Sequence, residues 1–464
     1  MIPVSLQQIA DDVTGRLLGA GHEDATASSV TIDSRQATAG TLFVAIPGER
    51  VNGHDYVQQA LEQGASAALV EDPERALATG ADPARLIAVP STQDSLGDLA
   101  RHNLARVREA GIPLVVGVTG SVGKTTTKDL LAVLLEPRGP IIAPPGSFNN
   151  EIGLPLTVLR ADENTATLVL EMGADRVGNL EHLTGIAPLD IGVVLAVARA
   201  HLGEFGGIEK VAQAKAELVT GIKPGGTAVL NADDHRVAAM ADRASDVRRF
   251  SKLTEVDVYA TDIQVGADGR ASFTLHAGPE SAPVHLGLVG EHHVSNALAA
   301  ATVAIVAGTD LAEIARLLGG LGAASPHRMD VWSKGDLTII DDSYNANPDS
   351  MRAGLRALAQ IGGSGRKTAV LGVMLELGEE SDAEHAAIGT ELADLGIDTL
   401  ISVGAPPLAE SARRAGVEVA EVSGVEEAWS VIMPLLESPG TILFKGSNGS
   451  KIWQLADRVK EETC

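Results

Sequence analysis

Gly117-Val118-Thr119-Gly120-Ser121-Val122-Gly123-Lys124-Thr125-Thr126-Thr127 decides the fold class of this chain. The run Leu114-Val115-Val116 leads into it and has the apolar character of a buried parallel strand. A helical segment follows over about residues 124–136. A glycine-rich turn between strand and helix lets backbone N–H groups converge on phosphate oxygens, and the helix N-terminus adds positive potential. In such a loop Lys124 reaches the β- and γ-phosphates of a nucleotide and Thr125 offers a hydroxyl to Mg²⁺. Gly120, Ser121, Val122, Gly123, Lys124, Thr125 and Thr126 are therefore the candidate ATP-binding residues. The common pattern has glycine where this chain has Val118, with Gly117 one position earlier. Nucleotide binding follows from this stretch, but the use made of the energy does not.

Working outward, further buried strands are expected at 167–171 and 191–197, alternating with helices. That alternation predicts a parallel sheet in a central ATP-binding domain spanning residues 93–325, entered through a helix at 94–110. Before it, residues 1–92 mix short strands (41–46, closed by Pro47-Gly48, and 67–70) with a helix at 55–63, forming a small α/β domain. After it, strands at 337–341, 368–373, 399–403, 417–422 and 441–444 alternate with helices. This predicts a Rossmann-like, doubly wound domain over residues 326–464. Ser325-Pro326 marks a hinge. The fold class is α/β in three domains.

The length of 464 residues accommodates three such domains. Aromatics make up only 3%, so Ala, Val and Leu must fill the cores. A net charge of −25 disfavours nucleic acid and anionic lipid as partners, and an anionic substrate needs a locally positive site. The one cysteine, Cys464, excludes an intrachain disulfide and a cysteine metal site. Met1-Ile2-Pro3-Val4-Ser5 lacks the basic-then-apolar pattern of a signal peptide. No apolar stretch approaches the roughly 20 residues of a membrane span. A cytoplasmic protein without membrane insertion is expected.

The loop variant Thr-Gly-Ser-Val-Gly-Lys-Thr-Thr-Thr resembles that of the Mur ligases and their folate-polyglutamating relatives. Three other stretches are similar to that family: Thr31-Ile32-Asp33-Ser34-Arg35 with Leu42-Phe43-Val44-Ala45-Ile46-Pro47-Gly48, Phe148-Asn149-Asn150-Glu151-Ile152-Gly153-Leu154-Pro155-Leu156-Thr157, and Glu171-Met172-Gly173-Ala174. Asp341-Asp342-Ser343-Tyr344-Asn345-Ala346-Asn347-Pro348 looks like the D-alanyl-D-alanine-adding branch, whose sisters carry a His-containing version. The resemblance covers nearly the whole chain, in order.

That resemblance implies an ATP-dependent amide ligase of peptidoglycan synthesis. The carboxylate of UDP-N-acetylmuramoyl-tripeptide would attack ATP to form an acyl phosphate, which the amine of D-alanyl-D-alanine then attacks. The cofactors implied are ATP and Mg²⁺, as two ions held by Thr125, Glu171, His201 and a carbamylated Lys215; Lys124, His201 and Lys215 would be catalytic. Carbamylation turns a cation into an anion with oxygen donors, which suits a metal. Asn296, in Gly290-Glu291-His292-His293-Val294-Ser295-Asn296, would meet the adenine edge. Arg328 would reach ATP phosphates when the C-terminal domain closes, with Asp342, Tyr344 and Asn345 beside ribose and phosphate. Ser34, Arg35, Asn149, Asn150 and Thr157 would bind the UDP-sugar. A monomer is the expected state.

Three departures from the family pattern concern the C-terminal domain and the helix of Lys215: Val373 stands for a usual Asp, Asn448 for a usual Arg, and Ala216 follows Lys215 where sisters often have Gly. Two alternatives stay open on the residues alone. One is a sister ligase adding a single amino acid. The other is a P-loop switch or motor ATPase, which would hydrolyse ATP without a UDP-sugar.

Overall fold

The computed structural model describes residues 1–48, 50–111, 113–198, 207–322, 325–361 and 365–463. Within these residues the chain is organised by three sheets, with a short pairing of Val4–Ser5 against Thr26–Ala27 at the start.

The first sheet has the order Arg16–Leu17, Leu86–Ala88, Ala67–Val70, Thr41–Val44, Ser29–Thr31. Its pairs are parallel except the first, which is antiparallel. Thr41–Val44 and Ala67–Val70 are buried at every position, which is why they read as continuous apolar runs. The expected helix over 55–63 is a 3₁₀ turn, Gly53–Tyr56, followed by Val57–Glu62.

The central sheet runs Glu280–Val289, Arg270–Ala277, Val258–Val265, Val247–Ser251, Ile222–Asn231, Leu189–Val194, Leu114–Thr119, Thr167–Glu171, Ile141–Ile142. From Val258–Val265 onward in this order the pairs are parallel, as the alternation of strands and helices implies. The remaining strands, 258–289, form an antiparallel meander that extends the edge. No strand was expected there. The meander alternates buried and exposed residues with period two, most clearly in Glu280–Val289, so only one face is covered.

The C-terminal sheet runs Asp330–Lys334, Leu337–Asp342, Gly440–Lys445, Arg366–Gly372, Thr399–Val403, Glu418–Val422. All pairs are parallel except the first. This is the doubly wound pattern expected from residue 326 onward, with an antiparallel edge hairpin added.

One continuous core joins the N-terminal helix (Leu6, Ile9) to one face of the central sheet (Leu168, Leu170, Leu230) through Leu96, Leu99 and Leu104 of the helix Thr92–Ala110. That helix also carries the polar ties. Asn103 accepts from the backbone N–H of Ile2 and donates to the carbonyls of Val158 and Ala161. Arg106 forks onto both oxygens of the buried Asp12 at 2.7 and 2.6 Å. On the other face of the central sheet, the helix His293–Val306 packs on the phosphate-loop helix Lys124–Leu134. Its fully buried Ala297, Ala299, Ala300 and Ala301 keep the core close-packed without aromatics. Two further clusters cover the two faces of the C-terminal sheet.

Replacing Arg106 with Ala leaves the Asp12 carboxylate buried without its bidentate partner. It should cost about 2–3 kcal/mol. Calorimetry is expected to show the melting temperature falling by several degrees; an unchanged transition would refute the tie between the first helix and Thr92–Ala110.

Candidate active site

The strand Leu114–Thr119 ends in the glycine-rich turn, and the helix Lys124–Leu134 starts from Gly123 at φ +83°. Gly123 is required twice. Its conformation is left-handed, and a Cβ there would sit 2.4 Å from Oδ1 of Asn296. Lys124 is folded back on its own loop, donating to the carbonyl of Gly120 at 2.8 Å. Burial holds its pKa below the ordinary lysine value; nearby Glu171 pulls it back up and Arg328 pushes it down.

Glu171 ends the adjacent strand Thr167–Glu171 and is 1% exposed. One oxygen accepts from the Thr125 hydroxyl at 2.8 Å and the other from Nδ2 of Asn149 at 2.8 Å. Among the described residues it forms no ion pair with Lys or Arg. A buried carboxylate without a cation is costly. Beside a hydroxyl it forms a pair of hard oxygen donors suited to Mg²⁺. The residues present thus fit a divalent ion at Thr125 and Glu171. His201 lies outside the described residues. No cluster of three or more His, Cys, Asp or Glu suited to a metal occurs among those described.

Lys215, on the helix Ile208–Thr220, is 3% exposed and lines a cavity of about 250 Å³ together with Lys124, Asn149 and Asn150. Its pKa is pushed down to about 7, by burial first and by the charge of Lys124 second. Two residues along the same helix, the Glu217 carboxylate accepts the N–H groups of Gly178, Leu180 and Glu181 at the start of the helix Asn179–Ile186.

A second cavity, of about 380 Å³, lies across the loop. Ser121, Val122, Gly123 and Thr126 of the glycine-rich turn and its helix line it, with Asn296, and Arg328, Asp342 and Asn345 reach it from the chain after Ser325-Pro326. Asn296 Nδ2 donates to His293 Nδ1 at 3.1 Å, which puts the His293 proton on Nε2, a buried atom with no partner. Burial pushes His293 well below the ordinary histidine range and His292 down to about 4, so both are neutral at pH 7. His292, His293, Asn231, Lys252, Arg352 and Arg356 also line this cavity. Sequence reasoning missed them, because a histidine in a helical apolar segment or an arginine on a helix carries no distinguishing spacing.

Arg328 is the bridge between the two halves of the site. Its Nη2 donates to the Thr125 hydroxyl at 3.0 Å, and its guanidinium lies 4.0 Å over the ring of Tyr344. The backbone on either side is left-handed, at φ +59° in His327 and +53° in Met329. Such values are strained for side-chain-bearing residues. His327 is fixed there by Asp341 at 2.7 Å, a contact that raises its pKa. Tyr344 thus supports Arg328, while Asp342 is paired with the buried Lys445.

The five residues expected at the sugar nucleotide separate. Asn149 and Asn150 line the cavity of Lys124 and Lys215. Thr157 lines a third cavity, of about 510 Å³, between Val30–Asp33 and Phe148, with Arg160 at its wall. Ser34 is buried and bonds Gln59, and Arg35 is exposed and paired with Asp33. Neither faces these cavities.

Comparison with known proteins places the chain in a family. Residues 26–104 match the Mur ligase family catalytic domain, 118–304 the Mur ligase middle domain, and 327–448 the Mur ligase glutamate ligase domain. The chain is 41% identical to the UDP-N-acetylmuramoyl-tripeptide–D-alanyl-D-alanine ligase of Mycobacterium bovis, covering 100% of this chain and 99% of that protein. It is similar to the crystal structure of MurF from Acinetobacter baumannii (31% identity, 99% of both chains, TM-score 0.88). It is also similar to MurF ligase from Thermotoga maritima in complex with ADP (30% identity, 94% of this chain and 98% of that one, TM-score 0.80). With domain models matching in order along its length and a full-length relative at this identity, the chain belongs to the Mur ligase family.

Proposed function

We propose that this protein joins D-alanyl-D-alanine to UDP-N-acetylmuramoyl-tripeptide at the expense of ATP, forming the UDP-muramoyl-pentapeptide precursor of peptidoglycan. The observation that carries the proposal is the meeting of Lys124, Thr125 and Glu171 with Arg328, which belongs to the other side of the hinge. The relatives' names supply the substrates. The domains would be residues 1–92 for the UDP-sugar, 93–325 for ATP and 326–464 for closure and the dipeptide. No helix among the described residues is long and apolar enough to cross a membrane; we assign the protein to the cytoplasm, as a monomer.

In this mechanism the tripeptide carboxylate attacks the γ-phosphorus, the bond to the β-phosphate oxygen breaks, and ADP leaves. The D-alanyl-D-alanine amine then attacks the acyl carbon, expelling phosphate and losing a proton. Two anions must be held together while water is excluded from the acyl phosphate. Lys124 exchanges its carbonyl of Gly120 for phosphate oxygens. Arg328 adds a second cation from across the hinge, and its contact with Thr125 signals closure. Asn296 meets the adenine edge in the second cavity, Asp342 and Asn345 lie toward ribose and phosphate, and Tyr344 acts through Arg328. Thr125 and Glu171 would hold Mg²⁺, which neutralises phosphate charge when bound; His201 and a carbamylated Lys215 would hold a second ion. A lysine with a pKa near 7 presents enough neutral amine to attack CO₂. The carbamate would then reverse the charge beside Lys124, replacing repulsion with attraction. Asn149, Asn150 and Thr157, which line cavities, remain the residues assigned to the UDP-sugar; Ser34 and Arg35 are assigned to it on the family resemblance alone.

Phosphate release from MgATP is expected only when UDP-muramoyl-tripeptide and D-alanyl-D-alanine are both present, with a pentapeptide product by mass spectrometry. Release from ATP alone without a new amide would favour a switch or motor ATPase. Lys124→Ala should lower turnover by at least 10³-fold with an unchanged circular dichroism spectrum.

Lys215 also predicts a pH dependence. Its folded pKa of about 7 lies below the ordinary 10.5, so the unfolded chain binds the extra proton between these values. Stability therefore rises with pH from about 7 upward relative to a non-titrating variant. In CO₂-free buffer, the melting temperature of the parent protein should gain on that of Lys215→Met between pH 7 and pH 9. Parallel curves would refute the depressed pKa.

A further inference from the structure

The phosphate-loop helix Lys124–Leu134 is touched twice by the segment that carries Arg328. Arg328 Nη2 donates to the Thr125 hydroxyl at 3.0 Å, and Ser325 Oγ donates to Oδ2 of Asp129 at 2.6 Å. Thr125 and Asp129 stand at i and i+4, so they lie one turn apart on the same face of the helix. Asp129 is fixed in turn. Its Oδ1 pairs with Lys128 at 2.6 Å, and the buried Lys128 donates to the carbonyl of Pro144 at 3.0 Å. Asp129, Ser325 and Arg328 line one small cavity with Leu130, Leu288 and Leu321. Apolar side chains thus bound the Ser325–Asp129 contact, and a hydrogen bond to a charged group gains strength where water is scarce.

The proposed reaction gives Lys128, Asp129 and Ser325 no part, yet Arg328 needs an outside constraint. It stands between two left-handed residues, His327 at φ +59° and Met329 at φ +53°. Strained backbone of this kind persists only where its surroundings over-determine it. His327 is held toward the C-terminal sheet by Asp341 at 2.7 Å and by the N–H of Tyr344, which donates to its carbonyl at 3.2 Å. Ser325 ties the same segment to the phosphate-loop helix. Arg328 Nε is buried with no partner among the described residues, so no contact fixes the root of the guanidinium, and its reach follows its backbone. We infer that Asp129 is a positioning residue: by holding Ser325 it sets the register of residues 325–329 on the phosphate-loop helix, and so delivers the Arg328 guanidinium to Thr125 and to the phosphates bound beside it. This rests on the proposed ligase function, in which Arg328 serves those phosphates.

The test uses the full chain with MgATP, UDP-muramoyl-tripeptide and D-alanyl-D-alanine, and follows Ser325→Ala in two backgrounds. In the parent, loss of the hydroxyl should lower kcat about tenfold, the size of one hydrogen bond to a charged group. KM for UDP-muramoyl-tripeptide and the melting temperature should stay unchanged. Ser325→Thr, which keeps a hydroxyl, should restore most of the rate. Asp129→Ala should lose at least as much as Ser325→Ala, and adding Ser325→Ala to it should change nothing further. In Arg328→Lys the ammonium rides on a flexible stem and depends less on where its backbone is fixed. There Ser325→Ala should cost no more than about twofold. An unchanged kcat in Ser325→Ala, or the same fold loss in the Arg328→Lys background, would overturn the inference and leave the ligase function standing. A parent protein that forms no pentapeptide would overturn both.

Discussion

A carboxylate buried at the end of a central strand, in direct ion pair with no Lys or Arg among the described residues, is the constraint on which the site turns. Glu171 is held by a hydroxyl and an amide, which orient it and leave its charge in place. Everything around it compensates for or exploits that charge. Lys124 stays close, Arg328 donates to Thr125 from a segment some 200 residues later in the chain, and Thr125 supplies the second hard oxygen. A site assembled this way is ready for a divalent ion with its phosphates, and it is completed only when distant parts of the chain converge.

The convergence has a backbone cost. Two residues flanking Arg328 adopt left-handed conformations that side chains disfavour, and an ion pair between His327 and Asp341 holds one of them. The stacking of Tyr344 under Arg328 and the pairing of Lys445 with Asp342 belong to the same arrangement. At the other boundary the helix Thr92–Ala110 shares its core with the first helix, so the N-terminal sheet is anchored to the central one by apolar packing and by Asp12–Arg106. Apolar packing also reaches from the central sheet to the C-terminal part, where Val289 shares a core with Met329 and Ile361, so the strained peptide is not the only link there.

Much of this was legible in the chain because it depends on local pattern. The apolar run Leu114-Val115-Val116, the glycine turn and Lys124-Thr125 specify strand, loop and helix together, and the parallel strands are continuous apolar runs. The meander over 258–289 was not legible. Its alternation is interrupted, with Asp262 in a left-handed conformation and a shift of register between Thr261 and Gln264. Site residues were legible where a motif carried them, as for Glu171 and Asn296. His293, Lys252 and Arg352 were not, because they reach the cavity by tertiary placement of ordinary surface or helix positions. The support of Arg328 by Tyr344 likewise depends on two elements meeting in space.

The contact between Gly123 and Asn296 has a consequence for how this enzyme can change. The side-chain oxygen that would face a nucleobase occupies the space a methyl group on residue 123 would need. The phosphate loop and Asn296 therefore share one atom-sized volume: any side chain at residue 123 displaces the Asn296 amide and, with it, the contact that its Nδ2 makes to His293.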